Sequence, residues 1–144
     1  MTKKDMYCNI KIKINGIELE TIAMIDSGNI LKEPITGTPV IVVESTLLEE
    51  AMPREILNNL ENIIGGDFEG VKEDIKKEYL TRLKLIPYSS LGKQNGMLVG
   101  IKPEYIEIEN EEQIKKIENV IIGIYNKSLT KKGEYRALVG IELL

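Results

Sequence analysis

Ile25-Asp26-Ser27-Gly28-Asn29 is the stretch on which the interpretation of this 144-residue chain depends. It places an acid, a hydroxyl and a glycine directly after the apolar run Thr21-Ile22-Ala23-Met24-Ile25, which has the composition of a strand entering the interior. A carboxylate delivered there is a candidate for chemistry. The same residue types also form turns, so a tight turn leaving a strand is the simpler interpretation. The rest of the sequence is needed to choose between a catalytic carboxylate and a turn residue.

The composition limits the chemistry that is available. The chain contains no histidine, which excludes Ser-His-Asp and Cys-His machinery and His-ligated zinc. The single cysteine, Cys8, can form neither an intrachain disulfide nor a thiolate zinc site, so we expect a reducing compartment. We also expect no metal and no cofactor. The net charge of −4 comes from interspersed signs, so no basic face for nucleic acid is expected. In a hydrolase of this composition, carboxylates are the natural acid and base.

Length and hydropathy predict one globular domain over residues 1–144. The chain is 42% hydrophobic and 29% charged, which is ordinary for a folded domain. No uninterrupted apolar run approaches the length of a membrane span, and the first residues lack the apolar core of a signal peptide. The chain as given is therefore expected to be soluble.

Strand patterns dominate the two ends of the sequence. Apolar residues alternate with polar ones from Cys8 to Ile14, and Asn15-Gly16 then supplies a two-residue hairpin turn. The β-branched run Val40–Val43 predicts a central strand. Further strands are predicted in four places: Leu83–Tyr88 with Met97–Ile101 as a hairpin, Tyr105–Glu109, Asn119–Ile124 and Arg136–Ile141.

The segment from about Ser45 to Arg82 has a helical pattern instead. Apolar residues recur at helical spacing, Ser45 is the predicted cap of the first helix, and Pro53 restarts it at its first position. Gly65-Gly66 ends that helix, and a second amphipathic segment follows. Apolar helix stripes usually face a core, so these helices are interpreted as scaffold, with a partner-binding groove as the alternative.

The order of these segments resembles that of the retroviral-type aspartic proteases along nearly the whole chain. Lys11–Gly16 and Asp26-Ser27-Gly28 are similar to their opening hairpin and catalytic loop. Gly92–Ile101 is similar to their flap, and Val139–Leu144 to their hydrophobic-hydrophobic-glycine loop and C-terminal helix. The resemblance implies a mainly β fold with a helical insertion, built as a retropepsin-like (acid protease) closed β-barrel with one lobe per chain.

A narrower set of residues resembles the sporulation sigma-E factor-processing peptidase family. The matching residues are Asp26–Leu31, Glu33-Pro34, Thr36, Pro39-Val40, Val42-Val43-Glu44, Ile86-Pro87-Tyr88, Gly92-Lys93, Asn95-Gly96-Met97 and Lys102-Pro103. This resemblance implies a membrane-associated aspartic endopeptidase of endospore-forming bacteria that activates a sporulation sigma factor by removing its pro-peptide.

The same resemblance implies where the chain works and with what. The membrane-embedded N-terminal half that such proteins carry is missing here, so the chain is expected to be the protease domain alone. In the full-length protein this domain is expected on the cytoplasmic side of the cell membrane. The expected partners are the pro-sigma factor as substrate, a second copy of the chain, and a signalling protein that acts through the membrane half.

Asp26 is the expected catalytic residue. Hydrolysis by carboxylates needs an ionised one to take a proton from water and a protonated one to donate to the carbonyl oxygen. The chain has one D-S-G triplet, and its other aspartates, Asp5, Asp67 and Asp74, lie in polar or amphipathic settings. The second carboxylate is therefore expected from a symmetric homodimer, with the two Asp26 side chains meeting at the two-fold axis.

The residues near Asp26 have supporting roles in this hypothesis. Ser27 is expected to hydrogen-bond across the dimer, and Gly28 to let two backbones approach closely. Val139 and Gly140 are expected to pack beneath the active-site loop. The predicted flap, which closes over an extended peptide and excludes water, consists of Gly92, Lys93, Gln94, Asn95, Gly96 and Met97.

Two other interpretations remain open. In the first, the chain is a catalytically inert retropepsin-like domain that dimerises or binds a partner, and Asp26 only caps a turn. In the second it is another carboxylate hydrolase, such as a glycosidase, although no second Asp or Glu has an apolar setting comparable to that of Asp26.

Overall fold

The computed structural model describes residues 6–28, 31–89, 95–111 and 113–144. Strands make up most of the regular structure in these ranges, and the prediction of a mainly β fold with a helical insertion is confirmed. The strands are β1 (Tyr7–Ile14), β2 (Ile17–Asp26), β3 (Val40–Glu44), β4 (Leu83–Ser89), β5 (Asn95–Ile101), β6 (Tyr105–Asn110), β7 (Gln113–Ile117), β8 (Ile121–Tyr125) and β9 (Ala137–Gly140).

The first hairpin forms where the sequence predicts it. β1 and β2 pair antiparallel in a register that places Ile14 opposite Ile17. Asn15 and Gly16 both have positive φ, 53° and 76°, as a two-residue turn between twisted strands requires. The alternating side chains of β1, Cys8 among them, are buried, and burial raises the pKa of the Cys8 thiol to about 11.

The strands form one sheet in the order β4-β5-β8-β3-β9-β2-β1-β6-β7. Within the described ranges β4 and β7 end this order without pairing to each other, so the sheet is open rather than the closed barrel that was predicted. The composition of β7 explains this. Residues 113–116 are exposed, and Lys115 and Lys116 are typical of a strand at a sheet edge, where lysines discourage further pairing.

The middle of the sheet brings together strands from opposite ends of the chain. β9 lies between β2, to which it is parallel, and β3, to which it is antiparallel. β3 is buried along its whole length, which confirms it as a central strand, and its other neighbour is the parallel strand β8. The parallel register of β2 and β9 sets Asp26 opposite Gly140 and Ile25 opposite Val139.

The two faces of the sheet carry different hydrophobic clusters. Ile41 and Val43 of β3 belong to the larger cluster, which includes the buried side chains of the helices. Val40 and Val42 point the other way. They form a smaller cluster with Ile86, Leu98 and Ile121, flanked by the partly buried Leu31, Tyr88, Tyr125, Leu129 and Leu138. We call these surfaces the helix-side face and the cleft-side face.

The inserted segment 45–82 is helical, as predicted, but it is divided into short pieces. A 3-10 helix spans Ser45–Leu48 and is followed by α1 (Arg54–Leu57), α2 (Leu60–Ile64) and α3 (Glu73–Tyr79). Contrary to expectation, Ser45 is the first residue of its helix rather than a cap, and Pro53 precedes α1. None of the helices in the described ranges is both long enough and apolar enough to cross a bilayer.

The Asn15 side chain links this insertion to the first hairpin by hydrogen bonds. The Asn15 amide Nδ2 donates to the carbonyl oxygen of Ala51 at 2.7 Å and to the hydroxyl of Tyr79 at 2.9 Å. Tyr79 is buried at the end of α3. The hairpin turn therefore serves as an attachment point for the helices on the helix-side face.

Candidate functional site

Asp26 is the last residue of β2, and it is half-buried. Its Oδ1 accepts the backbone N–H of Gly28 at 2.9 Å, so the carboxylate orders the turn that follows. A Cβ added to Gly28 would lie 3.4 Å from Asp26 Oδ1, at the limit of ordinary contact. Ser27 and Gly28 are both exposed, and the loop therefore presents its backbone to the surroundings.

A cleft of about 610 Å³ opens on the cleft-side face beside Asp26. Asp26 and Lys32 are the charged residues of its described lining, and the rest is mostly apolar or aromatic. The other lining residues are Gly28, Leu31, Val42, Pro87, Tyr88, Ser89, Leu98, Tyr125, Leu129 and Leu138. A concave apolar surface with one carboxylate at its side suits a ligand with apolar side chains and one reactive polar group.

Strand alternation explains why these residues share one face. Asp26 is opposite Gly140 in the register of β2 and β9, and Leu138, two residues earlier, is opposite Val42 of β3. Residues two apart on a strand point to the same side. Gly140 is buried and contributes no side chain of its own beside Asp26, and Leu138 and Val42 form the cleft floor.

The β4–β5 hairpin forms a second wall, where the sequence predicts a flap. Gly96 is opposite Tyr88, and a Cβ at Gly96 would lie 2.5 Å from the Tyr88 ring, so the ring rests directly on the glycine backbone. Met97 is 43% exposed at the hairpin's outer end, and Asn95 is the first residue of β5. Gly92, Lys93 and Gln94, the predicted flap tip, lie outside the described residues.

The sequence interpretation missed a third wall, formed by the segment 126–136 between β8 and β9. Its Leu129 lines the cleft, and its last residue, Arg136, pairs with the Glu44 carboxylate at 3.3 Å. Glu44 is buried at the end of β3. A charged residue that continues the apolar run Val40–Val43 was the available signal, because a buried acid requires a partner.

Two tyrosines lie beside each other, and one of them, Tyr135, interacts electrostatically with Asp26. The rings of Tyr7 and Tyr135 are 6.0 Å apart between centroids, at an interplanar angle of 45°. Burial raises the pKa of the Tyr135 phenol above its usual value, and Tyr7, Glu134 and Asp26 shift it further in the same direction. Neither tyrosine was singled out from the sequence. The raised pKa favours the neutral phenol of Tyr135.

The turn after the Asp26 loop contains a second acid, Glu33, whose carboxylate is bonded within the turn itself. Glu33 is 5% exposed, and its Oε2 accepts the N–H groups of Ile35 and Thr36 and the hydroxyl of Thr36, at 2.7 to 3.1 Å. The hydrogen bonds from Thr36 hold the pKa of the Glu33 carboxyl below its usual value, and Lys84 contributes in the same direction. The Glu33 carboxylate thus shapes its own turn through Oε2.

The described residues offer no obvious metal centre, since they contain no group of three or more Cys, Asp or Glu placed to hold an ion. A second groove, of about 400 Å³, lies on β1, β2 and β6. Its Lys11 pairs with Glu20 at 3.6 Å, and Glu18 and Glu20 raise the pKa of that lysine. The cleft beside Asp26 is therefore the better candidate for chemistry.

Fold and site together define a mainly β domain with an apolar cleft whose described lining holds one carboxylate. Residues 1–143 match the Peptidase_U4 family, described as sporulation factor SpoIIGA, and the chain belongs to this family. The resemblance to this family that the sequence motifs indicated is confirmed.

Curated relatives agree with this assignment. A sporulation sigma-E factor-processing peptidase of Priestia megaterium is 28% identical over 140 residues, covering 97% of this chain and 45% of that protein. The protein of the same name from Bacillus subtilis is 29% identical over 140 residues, covering 94% of this chain and 44% of the relative. A further relative, from Bacillus thuringiensis subsp. kurstaki, is 29% identical, covering 97% of this chain and 85% of the relative.

The chain thus spans less than half the length of the Priestia megaterium and Bacillus subtilis relatives. No solved structure matches it significantly.

Proposed function

We propose that this protein is an aspartic endopeptidase that removes the pro-peptide from a sporulation sigma factor precursor. The proposal rests on one observation above all, the position of Asp26 at the side of an apolar cleft large enough for a peptide. The names of the relatives, which are sigma-E factor-processing peptidases, support the substrate. Attachment of the full-length protein to the cytoplasmic side of the membrane belongs to the same proposal.

The second carboxylate comes, in this proposal, from Asp26 of another copy of the chain. The described lining of the cleft contains one carboxylate, and the mechanism requires two. Ser27 and Gly28 are exposed beside Asp26, which leaves the loop accessible to a second, symmetry-related loop. Each chain then acts as one retropepsin-like lobe, and the open cleft of one copy continues into that of the other.

The paired carboxylates share one proton, because two like charges about 3 Å apart cannot both ionise. The ionised Asp26 removes a proton from a water molecule, whose oxygen bonds to the peptide carbonyl carbon. The protonated Asp26 donates its proton to the carbonyl oxygen. When the tetrahedral intermediate breaks its C–N bond, the proton taken from water passes to the leaving nitrogen, and one hydroxyl of the intermediate returns its proton to the Asp26 that had donated one, which restores the shared proton. The β4–β5 hairpin covers the peptide and limits access of other water.

Replacement of the carboxylate tests the mechanism. With purified sigma-E precursor as substrate, we expect Asp26→Asn to lower the rate of cleavage by about a thousandfold or more, because an amide cannot serve as the base. The melting temperature should change little, since an amide oxygen still accepts the Gly28 N–H. Cleavage is followed by gel electrophoresis and mass spectrometry of the product.

Asp67→Asn is the matched control. The Oδ1 of Asp67 accepts the N–H of Glu69 at 2.9 Å, the same contact that Asp26 makes with Gly28, but Asp67 is exposed in a loop of the helical segment. If Asp26 only caps a turn, the two variants should cleave equally well. Equal cleavage by both would therefore contradict Asp26 as the catalytic residue, whereas absence of cleavage by the parent chain as well would support the inert binding domain.

Dilution tests whether cleavage requires a second copy of the chain. Cleavage per chain should fall as the concentration of the chain drops through the dimer dissociation constant, because the monomer holds half of the site. Sedimentation velocity over the same concentrations should show dimer giving way to monomer. Specific activity that is constant while the dimer dissociates would contradict an intersubunit pair of carboxylates.

A further inference from the structure

Glu44 is a buried acid to which the proposed cleavage mechanism gives no role. It ends β3, and only 6% of its surface is exposed. A buried carboxylate is unfavourable unless it is paired and hydrogen-bonded. Its partners therefore indicate what this residue holds in place.

Both oxygens of Glu44 are engaged by the segment 126–136. Oε2 accepts the backbone N–H of Leu129 at 2.7 Å, and Oε1 accepts Nε of Arg136 at 3.3 Å. The backbone N–H of Glu44 donates to the carbonyl of Arg136 at 3.0 Å, and Nη2 of Arg136 donates to the hydroxyl of Thr46. One acid at the end of a central strand thus holds this segment near its start, at Leu129, and at its end, at Arg136.

The residue held near the start of the segment, Leu129, lines the same cleft as Asp26. Glu44 follows Val40 and Val42 on the cleft-side face by alternation, so it lies at one end of the cleft floor. The other end is marked by Asp26, opposite Gly140. Gly140 and Arg136 are four residues apart, about 13 Å along an extended strand, which is the span of about four residues of a bound peptide.

We propose that Glu44 is a positioning residue that holds the segment 126–136 so that Leu129 forms an end wall of the cleft. This rests on the proposed peptidase function and adds to it a determinant of which peptide side chain fits. Glu44 does not touch the peptide. Without it, Leu129 loses the anchor of its backbone N–H, and the wall no longer has one defined position.

Kinetics of precursor cleavage separate this role from a general structural one. We expect Glu44→Ala to raise KM about tenfold with kcat within about twofold of the parent, because the loss of charge-assisted hydrogen bonds acts on the wall and not on Asp26. Glu44→Gln should raise KM less, since its amide oxygen still accepts the Leu129 N–H. The control is Glu104→Gln. In the parent chain the Glu104 carboxylate accepts the Gly16 N–H at 2.9 Å in an exposed turn, and its replacement should leave both KM and kcat unchanged.

A double variant tests whether Glu44 acts through Leu129. Leu129→Ala should also raise KM, and Glu44→Ala combined with Leu129→Ala should raise it by clearly less than the product of the two single effects. Multiplicative effects would overturn the proposal. So would a Glu44→Gln variant in which kcat falls together with the melting temperature while KM stays unchanged.

Hydrogen exchange supplies a readout that needs no cleavage. The Leu129 amide should exchange about tenfold faster or more in Glu44→Ala than in the parent chain, because its acceptor is gone. The Glu104→Gln control should exchange like the parent. Unchanged protection at Leu129 would overturn the positioning role even if the protein cleaves. Absence of cleavage by the parent chain, with faster exchange in the variant, would count against the peptidase function alone.

Discussion

The two faces of the central sheet are filled in different ways. On the helix-side face, side chains of β3, β5 and β8 pack against the helices in one large cluster. On the cleft-side face the cluster is small, and glycines lie beneath it. A Cβ at Gly123 would lie 3.0 Å from Val40, and one at Gly100 would lie 2.9 Å from Ile86. The helix-side face therefore contributes most of the stability. The cleft-side face has fewer and smaller side chains, which leaves a cleft open.

Val42 and Val43 provide the sharpest test of this difference, because they are adjacent and chemically identical. Val43 is fully buried on the helix-side face, whereas Val42 lines the cleft. We expect Val43→Ala to lower the free energy of unfolding by about 2 to 3 kcal/mol, since it leaves a closed cavity. We expect Val42→Ala to lower it by about 1 kcal/mol, because solvent or ligand reaches the vacated space.

Urea denaturation of the two variants measures these losses, and precursor cleavage measures the effect on binding. Val42→Ala should change KM, whereas Val43→Ala should leave it unchanged at temperatures where the variant is folded. Equal losses of stability with equal KM values would contradict the assignment of stability to the helix-side face and of substrate binding to the cleft-side face.

The sequence predicts local elements of this fold better than their assembly. The hairpin around Asn15-Gly16 and the central strand Val40–Val43 follow from alternation, turn chemistry and β-branched composition, and both are present. The insertion of β9 between β2 and β3 depends on pairing between residues far apart in the chain, which leaves no local signal. β7 was missed because Gln113–Ile117 lacks apolar alternation, and its pairing with β6 supplies its structure.

The candidate site divides in the same way. Asp26 could be identified because an acid, a hydroxyl and a glycine follow an apolar strand. Leu129 could not, because its place in the cleft depends on the Glu44 carboxylate, which lies 85 positions earlier. Residues of the floor, such as Leu138, looked like ordinary core from their composition. A cleft lined by apolar side chains has the same pattern as a core that is closed.

Substitution of Gly96 tests whether the cleft depends on the absence of a side chain on the cleft-side face. A Cβ at this position would meet the ring of Tyr88, which lines the cleft, so Gly96→Ala should displace the ring. We expect KM for the precursor to rise about threefold to tenfold, which corresponds to about 0.7 to 1.4 kcal/mol. The melting temperature should fall by only a few degrees, since the end of a tyrosine side chain can move.

Gly65→Ala is the control for the substitution at Gly96. Gly65 ends α2 with negative φ, and a Cβ there would make contacts no closer than 3.5 Å. This variant should leave KM unchanged. A Gly96→Ala protein with the parent's KM, and with the NMR signals of the Tyr88 ring unchanged, would mean that the ring does not depend on the glycine.

The carboxylate of Glu33 has a structural role, whereas that of Asp26 has the proposed catalytic role. The pH dependence of the melting temperature tests this difference, and it is the smallest of the predicted effects. The pKa of Glu33 is lowered by Thr36 in the folded protein, so its carboxylate stabilises the fold at pH values above about 4.5, its usual value. That stabilisation is lost as the pH falls through the lowered pKa, because protonation then removes the acceptor from its three donors. The melting temperature of Glu33→Gln should therefore lie below that of the parent at pH 7, with the difference shrinking as the pH falls below about 4.5.

Calorimetry between pH 7 and pH 3 measures this difference, with Glu104→Gln as the exposed control, whose melting temperature should follow the parent's. A difference between Glu33→Gln and the parent that is the same at both ends of the range would contradict an ionised structural role. Cleavage by Glu33→Gln at neutral pH should match the parent, because Glu33 bonds within its own turn. Asp26→Asn has the opposite pattern, since its carboxylate matters for cleavage and little for the melting temperature.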